Sequence, residues 1–532
     1  MTDSAPNRYD QLPYVSNPFV QTHPDRLATI ATLLGMSPAP VERCRVLELG
    51  CSSGGNLMPM ACALPGSEFV GVDLSQRQIE TGQAVVEAVG LKNVSLKHQD
   101  LMDIGPDFGQ FDYIIAHGVF SWVPQPVQNK ILEICRQNLA ANGVAYISYN
   151  TYPGWRLHST IRDMMLYHTR QTVEPARKIT QARELLEFLG ETILKDSNPH
   201  ASFLHSYVHY TKERFLPAGD DAYLFHNELA EVNEPLYFYQ FVERAAAHGL
   251  RYLAEAQFQT MLLDNLPADV AAKLRQQVKT TIELEQYMDF LRNRTFRQTL
   301  LCHQDVKLQG RLSPERLADF YVASPTVLEG QPAEFEAGAV VRFRGPKGET
   351  FATDHPLTQA AMLHLSQIWP QAVPFNQLVS LARARLNGRA VASDNLSDRQ
   401  ILGANLLKAY SRNEDLVEFH VYSPPFVKEV SQYPVASPMA RFQAGQSAET
   451  VTNLRHEIIR LEGLSYYLLP YLDGSYAAGG LVHLLENLIN DGTVSVKPPE
   501  PANVETATGH EDLPAVVESA LQTLANASLL IG

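Results

Sequence analysis

An α/β fold, a parallel sheet layered with helices, is predicted for the N-terminal part of this chain by two observations. From position 44 to 150 short apolar runs alternate with helical segments, the rhythm of strands joined by crossover helices. Between the first run and the first helical segment stands a glycine-rich string, Gly50-Cys-Ser-Ser-Gly-Gly55, which suits a tight strand-to-helix turn. Beyond Trp155 the rhythm changes to long helices and then to mixed elements. At 532 residues the chain exceeds one core, and ~150 residues per domain implies three or four units.

The predicted strands span 45–49, 68–73, 94–98, 113–117 and 144–149, with helices at 55–64, 75–89 and 126–139. Ser75 is the expected N-cap of the second helix. The third helix is expected to run out through Leu139-Ala-Ala-Asn142, with Gly143 as the stop before the fifth strand. Residues 159–213 read as charged amphipathic helices, an insertion after which a helix at 235–248 and a strand at 249–256 resume the sheet. Residues 268–300 read as helical. Past 310, strands at 339–343 and 350–353 precede paired helices over 356–386. The last unit combines short helices with a small hairpin, which suits a winged helix. Within it 451–468 reads as a structural helix, 498–514 as a Pro/Glu/Thr-rich linker and 515–530 as a closing helix.

Composition narrows the partners. Lys plus Arg total 43 against 58 Asp plus Glu, a net charge of −15, and no Lys/Arg run interrupts it. That balance argues against nucleic acid, whose binders carry a basic footprint, and permits a basic partner. No run of ~18 apolar residues suggests a membrane span, and the polar start lacks the order of a secretory signal. Five cysteines at 44, 51, 62, 135 and 302 make no C-x-x-C pair, so free thiols in a cytoplasmic protein are expected. His200, His205, His209 and His226 lack H-E-x-x-H spacing and are read as surface or capping residues; no metal site is predicted.

The informative string is Val46-Leu-Glu-Leu-Gly-Cys-Ser-Ser-Gly-Gly-Asn56. Gly50 and Gly54 let the backbone turn and approach a ligand closely, and the helix that follows offers free N–H groups to an anion. Twenty-three residues beyond Gly50 comes Asp73, ending the second strand, where a carboxylate can accept from both ribose hydroxyls. Asp100, closing the third, can receive an adenine amino group. A glycine loop alone is also what an ordinary tight turn needs; the loop and two acids in this order point to S-adenosylmethionine (AdoMet), whose methionine carboxylate would take the helix end.

Glu48-Leu-Gly-Cys-Ser-Ser-Gly54 resembles motif I of class I AdoMet-dependent methyltransferases, E/D-x-G-x-G-x-G, with Ser52 in place of the middle glycine. It does not spell the G-x-G-x-x-G of NAD enzymes. The resemblance implies a Rossmann-like methyltransferase sheet with a helical insertion, followed by helical middle and α+β, winged-helix-like C-terminal domains. Further strings narrow it: Tyr9-Asp-Gln-Leu-Pro-Tyr14, Pro18-Phe-Val-Gln-Thr-His-Pro24, His117-Gly-Val-Phe-Ser-Trp-Val-Pro124, Ser148-Tyr-Asn-Thr-Tyr-Pro-Gly-Trp155 and Phe225-His-Asn-Glu-Leu-Ala-Glu-Val-Asn-Glu-Pro235. Over residues 9–305 these resemble methyltransferases carrying a methyltransferase regulatory domain, among them rickettsial lysine methyltransferases of an outer-membrane protein.

The resemblance implies AdoMet as cofactor, with S-adenosylhomocysteine as product, and a homodimer. Glu48, Gly50, Cys51, Gly54 and Asn56 would line the methionine end, Asp73 and Leu74 the ribose, Asp100 and Leu101 the adenine. His117 and Gly118 would lie beside the sulfonium, and Tyr14 would fold over the cofactor as a lid. The units would be 1–158 (AdoMet binding, with the lid), 159–220 (helical insertion and dimerisation element) and 221–305 (completion of the sheet and regulatory region), then 306–425 (mixed α+β) and 426–532 (winged-helix-like).

The methyl acceptor is expected to be a lysine of a protein. A lysine with pKa near ~10.4 costs about 4–5 kcal/mol to neutralise at pH 7, and burial among aromatic rings lowers that pKa. Trp122, Tyr149, Tyr152 and Trp155 follow strands four and five, at the edge where ligands bind, and could hold the lysine stem; Asn150 could orient its amine. Each aromatic read alone is equally a core plug. A small-molecule N- or O-methyltransferase and a non-catalytic AdoMet-binding regulatory protein remain the alternatives, because fold does not fix function.

Overall fold

The computed structural model describes residues 8–14, 16–193, 198–215, 221–310, 312–330, 338–386, 395–492 and 513–531. Seven strands form its main sheet: β1 (Arg45–Leu49), β2 (Glu68–Asp73), β3 (Val94–His98), β4 (Phe111–Ala116), β5 (Leu139–Asn150), β6 (Leu250–Glu255) and β7 (Phe296–His303). Their order is β3-β2-β1-β4-β5-β7-β6. β1 to β5 run parallel, while β7 lies antiparallel between β5 and β6. This is the Rossmann-like methyltransferase fold. The direction of winding reverses between β1 and β4, which opens a crevice at their carboxyl ends.

Both faces of the sheet are covered, so the inner strands read as nearly continuous apolar runs. One face packs Val46, Tyr113, Val144 and Tyr146 on the helix Pro24–Leu33. The other packs Leu47, Ile114, Ile147 and Tyr149 on the helices Gln125–Asn138 and Phe238–Ala247. Ser75 caps the helix Gln76–Val89 by accepting from the Gln78 N–H, and Gly90 closes it at φ +78°. The third helix stops one residue earlier than expected. Leu139 already pairs with Phe111, so the Leu139-Ala-Ala-Asn142 stretch is the start of β5 and not a helix end.

The insertion consists of helices Gly154–Thr169, Pro175–Thr192 and Pro199–Phe215, packed through Ile161, Met165, Ile179, Leu186 and Val208. The helical reading of 268–300 holds for Ala268–Gln277 and Thr281–Arg292 but fails at β7. The cause is Arg297, a charge at a fully buried strand position. It donates to Glu255 Oε1 (2.7 Å), Glu285 Oε2 (3.0 Å) and Asp289 Oδ2 (2.9 Å), with its guanidinium over the Phe238 ring.

Beyond the sheet, one three-stranded sheet joins Val327–Leu328, Val341–Arg344 and Thr350–Thr353, and another Tyr321–Ala323, Val373–Pro374 and Glu418–His420. Helices Pro356–Ile368, Phe375–Arg385 and Asn395–Arg412 pack with them. In the last unit 451–468 is no single helix. Thr450–Thr452 and Ile458–Arg460 pair as an antiparallel hairpin, and only Leu464–Leu468 is helical. β-Branched residues suit these strands, and Asn453 Oδ1 accepts the Arg455 and Glu457 N–H groups to fold the loop between them. Of the expected linker, 498–512 lies outside the described residues. No described helix is long and apolar enough to cross a membrane.

Candidate functional site

The crevice between β1 and β4 is floored by the glycine loop. Gly50 and Gly54 stand at φ +76° and +78°, and Ser52, at the position of the missing glycine, adopts φ +52°. This left-handed conformation is costly for a residue with a Cβ. The Ser52 N–H donates to Asp73 Oδ2 and the Ser75 N–H to Asp73 Oδ1, each at 2.8 Å. Asp73 is thereby held rigidly at the end of β2, and burial pushes its pKa upward. Leu74 beside it is 54% exposed. Cys51 is buried, with burial raising its thiol pKa, and its sulfur fills the space that a Cβ on Gly71 would claim at 2.6 Å.

Glu48 is buried under the loop. Its Oε1 accepts from Asn56 Nδ2 at 2.8 Å, its Oε2 has no partner among the described residues, and burial lifts its pKa to about 8. Asn56 also accepts, at Oδ1, the Phe19 N–H (2.9 Å) and His456 Nε2 (2.8 Å), and donates to Thr22 Oγ1 (3.0 Å). The Phe19 N–H can only donate, which fixes the orientation of the Asn56 amide.

Asp100 is exposed and accepts the Met102 N–H at 2.9 Å, capping the turn Leu101–Asp103. His117, just past β4, bonds Tyr146 Oη through Nδ1 at 2.9 Å and lies under the ring of Phe19 with centroids 3.7 Å apart. Burial lowers its pKa to about 4, so the ring is neutral. Gly118 stands at φ +68° and donates its N–H to Ser148 Oγ at 2.8 Å.

The N-terminal segment drapes over this crevice. Ser16 Oγ accepts the Gly55 N–H at 2.8 Å, Asp10 bonds Ser75 Oγ, and the Tyr14 carbonyl accepts from Gln78 Nε2. His226 clasps the segment: Nε2 lies 2.6 Å from the Leu12 carbonyl, the Tyr9 ring stacks on it at 4.6 Å, and Tyr14 meets it edge-on. His226 is thus a buried residue rather than a surface one. Its neighbours Phe225 and Leu224 carry it inward on a single π-helical turn, Leu224–Glu228.

Of the five residues predicted for the acceptor side, Trp122 follows β4, Asn150 ends β5, and Tyr152 and Trp155 come just after it. Trp122 meets Trp155 edge-on at 5.9 Å, and the Asn150 N–H donates to Ser121 Oγ at 2.9 Å. Asn150 Nδ2 and Trp155 Nε1 are buried without hydrogen-bond partners among the described residues. Tyr152 packs on Tyr237 (5.2 Å) under the Arg156 guanidinium (4.3 Å). Tyr149 stands apart. It is 1% exposed, stacked on Phe241 at 4.1 Å, and its hydroxyl bonds Thr299. Side chains alternate along a strand, so Tyr149 points away from the face of Ser148 and into the core.

Ser16, Phe19, Thr22, Tyr146, Ser148 and His456 belong to the site geometry and were not predicted as site residues. The string Pro18-Phe-Val-Gln-Thr-His-Pro24 carries a signal for Phe19 and Thr22; His456, 400 positions from Asn56, has none.

Comparison with known proteins accords with this geometry. The chain matches family models described as "Methyltransferase domain" over residues 47–145, "Predicted methyltransferase regulatory domain" over 220–303 and "PKMT, C-terminal winged helix domain" over 432–529. It is 36% identical to the uncharacterised protein RP789 of Rickettsia prowazekii over 496 residues, 92% of this chain and 87% of that one. The uncharacterised protein RP028 of the same organism is 40% identical over 245 residues, 46% of this chain and 96% of the relative. The solved structure of PKMT2 from Rickettsia typhi in complex with AdoHcy matches with a TM-score of 0.83 at 30% identity, covering 98% of this chain and 100% of that one. The chain belongs to the class I S-adenosylmethionine-dependent methyltransferases that carry a methyltransferase regulatory domain, and S-adenosylmethionine is its cofactor.

Proposed function

We propose that this enzyme methylates lysine side chains of a protein substrate. The observation that carries the reading is the likeness to PKMT2 along essentially the whole chain, 98% of it, far beyond the cofactor domain. PKMT denotes a protein lysine methyltransferase, and added units around a methyltransferase sheet suit a large substrate.

The donors and acceptors fit AdoMet. Glu48, with a buried oxygen that has no partner among the described residues, and the Gly50–Asn56 loop would hold the methionine end. Asp73 with Leu74 would hold the ribose, and Asp100 with Leu101 the adenine. Tyr14 and its segment cover them. Bound AdoMet supplies a methyl carbon already activated by the sulfonium. The chain has to align the acceptor and exclude water. Phe19 on His117 closes the loop side, and Gly118 leaves the approach free of a side chain. Trp122, Tyr152 and Trp155 would hold the lysine stem, with Asn150 orienting the amine. Burial among these rings favours the neutral amine, whose proton leaves to solvent before the nitrogen attacks.

The same reading places the enzyme in the cytoplasm, in line with its five free cysteines. It acts as a homodimer joined through 159–220, with 306–425 and 426–532 framing the substrate. Nucleic acid is not the expected acceptor. The test is transfer of radiolabelled methyl from AdoMet into a lysate of the source cell. Label on a protein, mapped to lysine by mass spectrometry, is expected. Label confined to small molecules would replace this reading with small-molecule methylation, and tight AdoMet binding without label would make the protein a non-catalytic sensor.

A further inference from the structure

The loop Asn453–Glu457 joins the hairpin strands of the last unit and reaches the buried Asn56 side chain at the end of the glycine loop of the first. At its tip His456 is 2% exposed, stands at φ +65°, and brings Nε2 to 2.8 Å from Asn56 Oδ1. A non-glycine residue in that backbone region is strained and persists only where its surroundings impose it.

The surroundings here are extensive. Arg455 is paired with Glu418 of the preceding unit and lies over the Trp369 ring at 4.3 Å. Asn453 Nδ2 donates to the Ala527 carbonyl at 3.0 Å, and the Leu454 N–H to that of Ser528 at 2.9 Å. The loop is thus anchored on both sides and delivers one donor, at a fixed place, to one acceptor.

The direction of each bond is determined. Asn56 Oδ1 accepts from the Phe19 backbone, so it also accepts from His456, whose Nε2 carries the proton. The Asn56 amide nitrogen then faces Glu48 Oε1 at 2.8 Å. His456 Nδ1 is buried without a partner among the described residues. A side chain there for packing alone would shed that cost by being apolar. What histidine provides at this position is the Nε2 donor.

We infer that His456 is a positioning residue of the cofactor site: through Asn56 it orients Glu48, so that the C-terminal unit sets the affinity for AdoMet. The inference rests on the assignment of Glu48 and Asn56 to the methionine end. It makes the winged helix part of the machinery that binds cofactor, so a substrate or partner engaging that unit acts on cofactor affinity through a single hydrogen bond.

The test uses the full chain and the product S-adenosylhomocysteine, titrated by calorimetry. His456→Phe keeps a ring and removes the donor; His456→Gln places an amide nitrogen near the position of Nε2. The Phe variant should bind about three- to tenfold more weakly, with KM for AdoMet raised and kcat unchanged, while the Gln variant stays near wild type. Should His456→Phe fail to fold, His456→Gln against His456→Asn decides, since Asn is too short to reach Oδ1. Equal affinities within either pair overturn the inference. Glu48→Ala serves as the control on the site itself: unchanged affinity there would remove the assignment of the methionine end, whatever His456 does.

Discussion

The backbone N–H of Ser52 donates to Asp73 Oδ2 at 2.8 Å, so the residue that departs from the glycine pattern is fastened to the acid after β2. Asp73 therefore shapes the loop, and in the proposed site its remaining lone pairs would take the ribose hydroxyls. Asp73→Ala should weaken S-adenosylhomocysteine binding roughly ten- to hundredfold, on the scale of hydrogen bonds to a charged group. Calorimetric affinity equal to wild type would dispose of the ribose assignment. Ser52→Gly should leave affinity within a few fold and stabilise the protein by about 1 kcal/mol, because φ +52° no longer opposes a Cβ.

Glu48 makes a pH prediction for the ligand-free protein. Burial raises its pKa from 4.5 to about 8, so between those values the folded state holds a proton that the unfolded state has released. Its contribution to stability is fully present below pH 4.5 and lost as pH rises through about 8. Glu48→Gln cannot lose a proton. The unfolding temperature of wild type minus variant should therefore fall from pH 5 to pH 8.5. Glu285, raised to about 7 by burial in the Arg297 cluster, titrates in both proteins and cancels in the difference. A flat difference would show that Glu48 is not buried as described.

The parts of the fold legible in the sequence are those where one physical rule acts alone. The inner strands β1, β4 and β5 are largely apolar because both faces are covered, and the helix Gln76–Val89 carries ordinary caps in Ser75 and Gly90. Legibility fails where a distant partner changes what a residue may do. Arg297 breaks the apolar pattern of β7, and only Glu255, Glu285 and Asp289 make its burial tolerable. Leu454, Ile458, Leu461 and Leu468 fall at helical spacing, yet the Asn453 turn folds 450–460 into a hairpin and leaves a helix only at Leu464–Leu468. The glycine loop, Asp73 and Asp100 could be picked out because their spacing is local. Tyr149 could not be sorted from its aromatic neighbours, because the face of β5 it occupies depends on where that strand begins.

The Arg297 cluster should dominate the stability of the antiparallel edge. Three carboxylates surround one fully buried guanidinium, with Arg294 contributing at 3.6 Å from Asp289. Arg297→Met strips the central cation, takes from Glu285 its ion-pair partner and leaves Glu255 and Asp289 facing Arg294 alone. Removing one partner of a buried ion pair costs about 3–5 kcal/mol, and the unfolding free energy extrapolated from urea titration should fall by that amount. If Glu255→Gln is then added to Arg297→Met, part of the loss should return, since one excess carboxylate has gone. Independent, additive effects would mean that the ion pairs drawn between these residues do not operate in solution.

The proposed dimer makes the last prediction, and it turns on the inserted helices. Tyr167, 67% exposed, borders with Met164, Leu185 and Leu189 a depression between helices Gly154–Thr169 and Pro175–Thr192, and Phe188, 59% exposed, stands on the second of these helices. Large apolar side chains clustered in the open mark contact surfaces more often than scattered ones do. Light scattering at micromolar concentration should give twice the chain mass for wild type. Tyr167→Glu with Phe188→Glu would place two charges in that contact, where desolvation opposes them, and should give a single chain. The cofactor crevice is built from other elements, so S-adenosylhomocysteine affinity should persist in the variant. A monomeric wild type would refute the dimer outright, while a dimer unaffected by both substitutions would move the interface away from these helices.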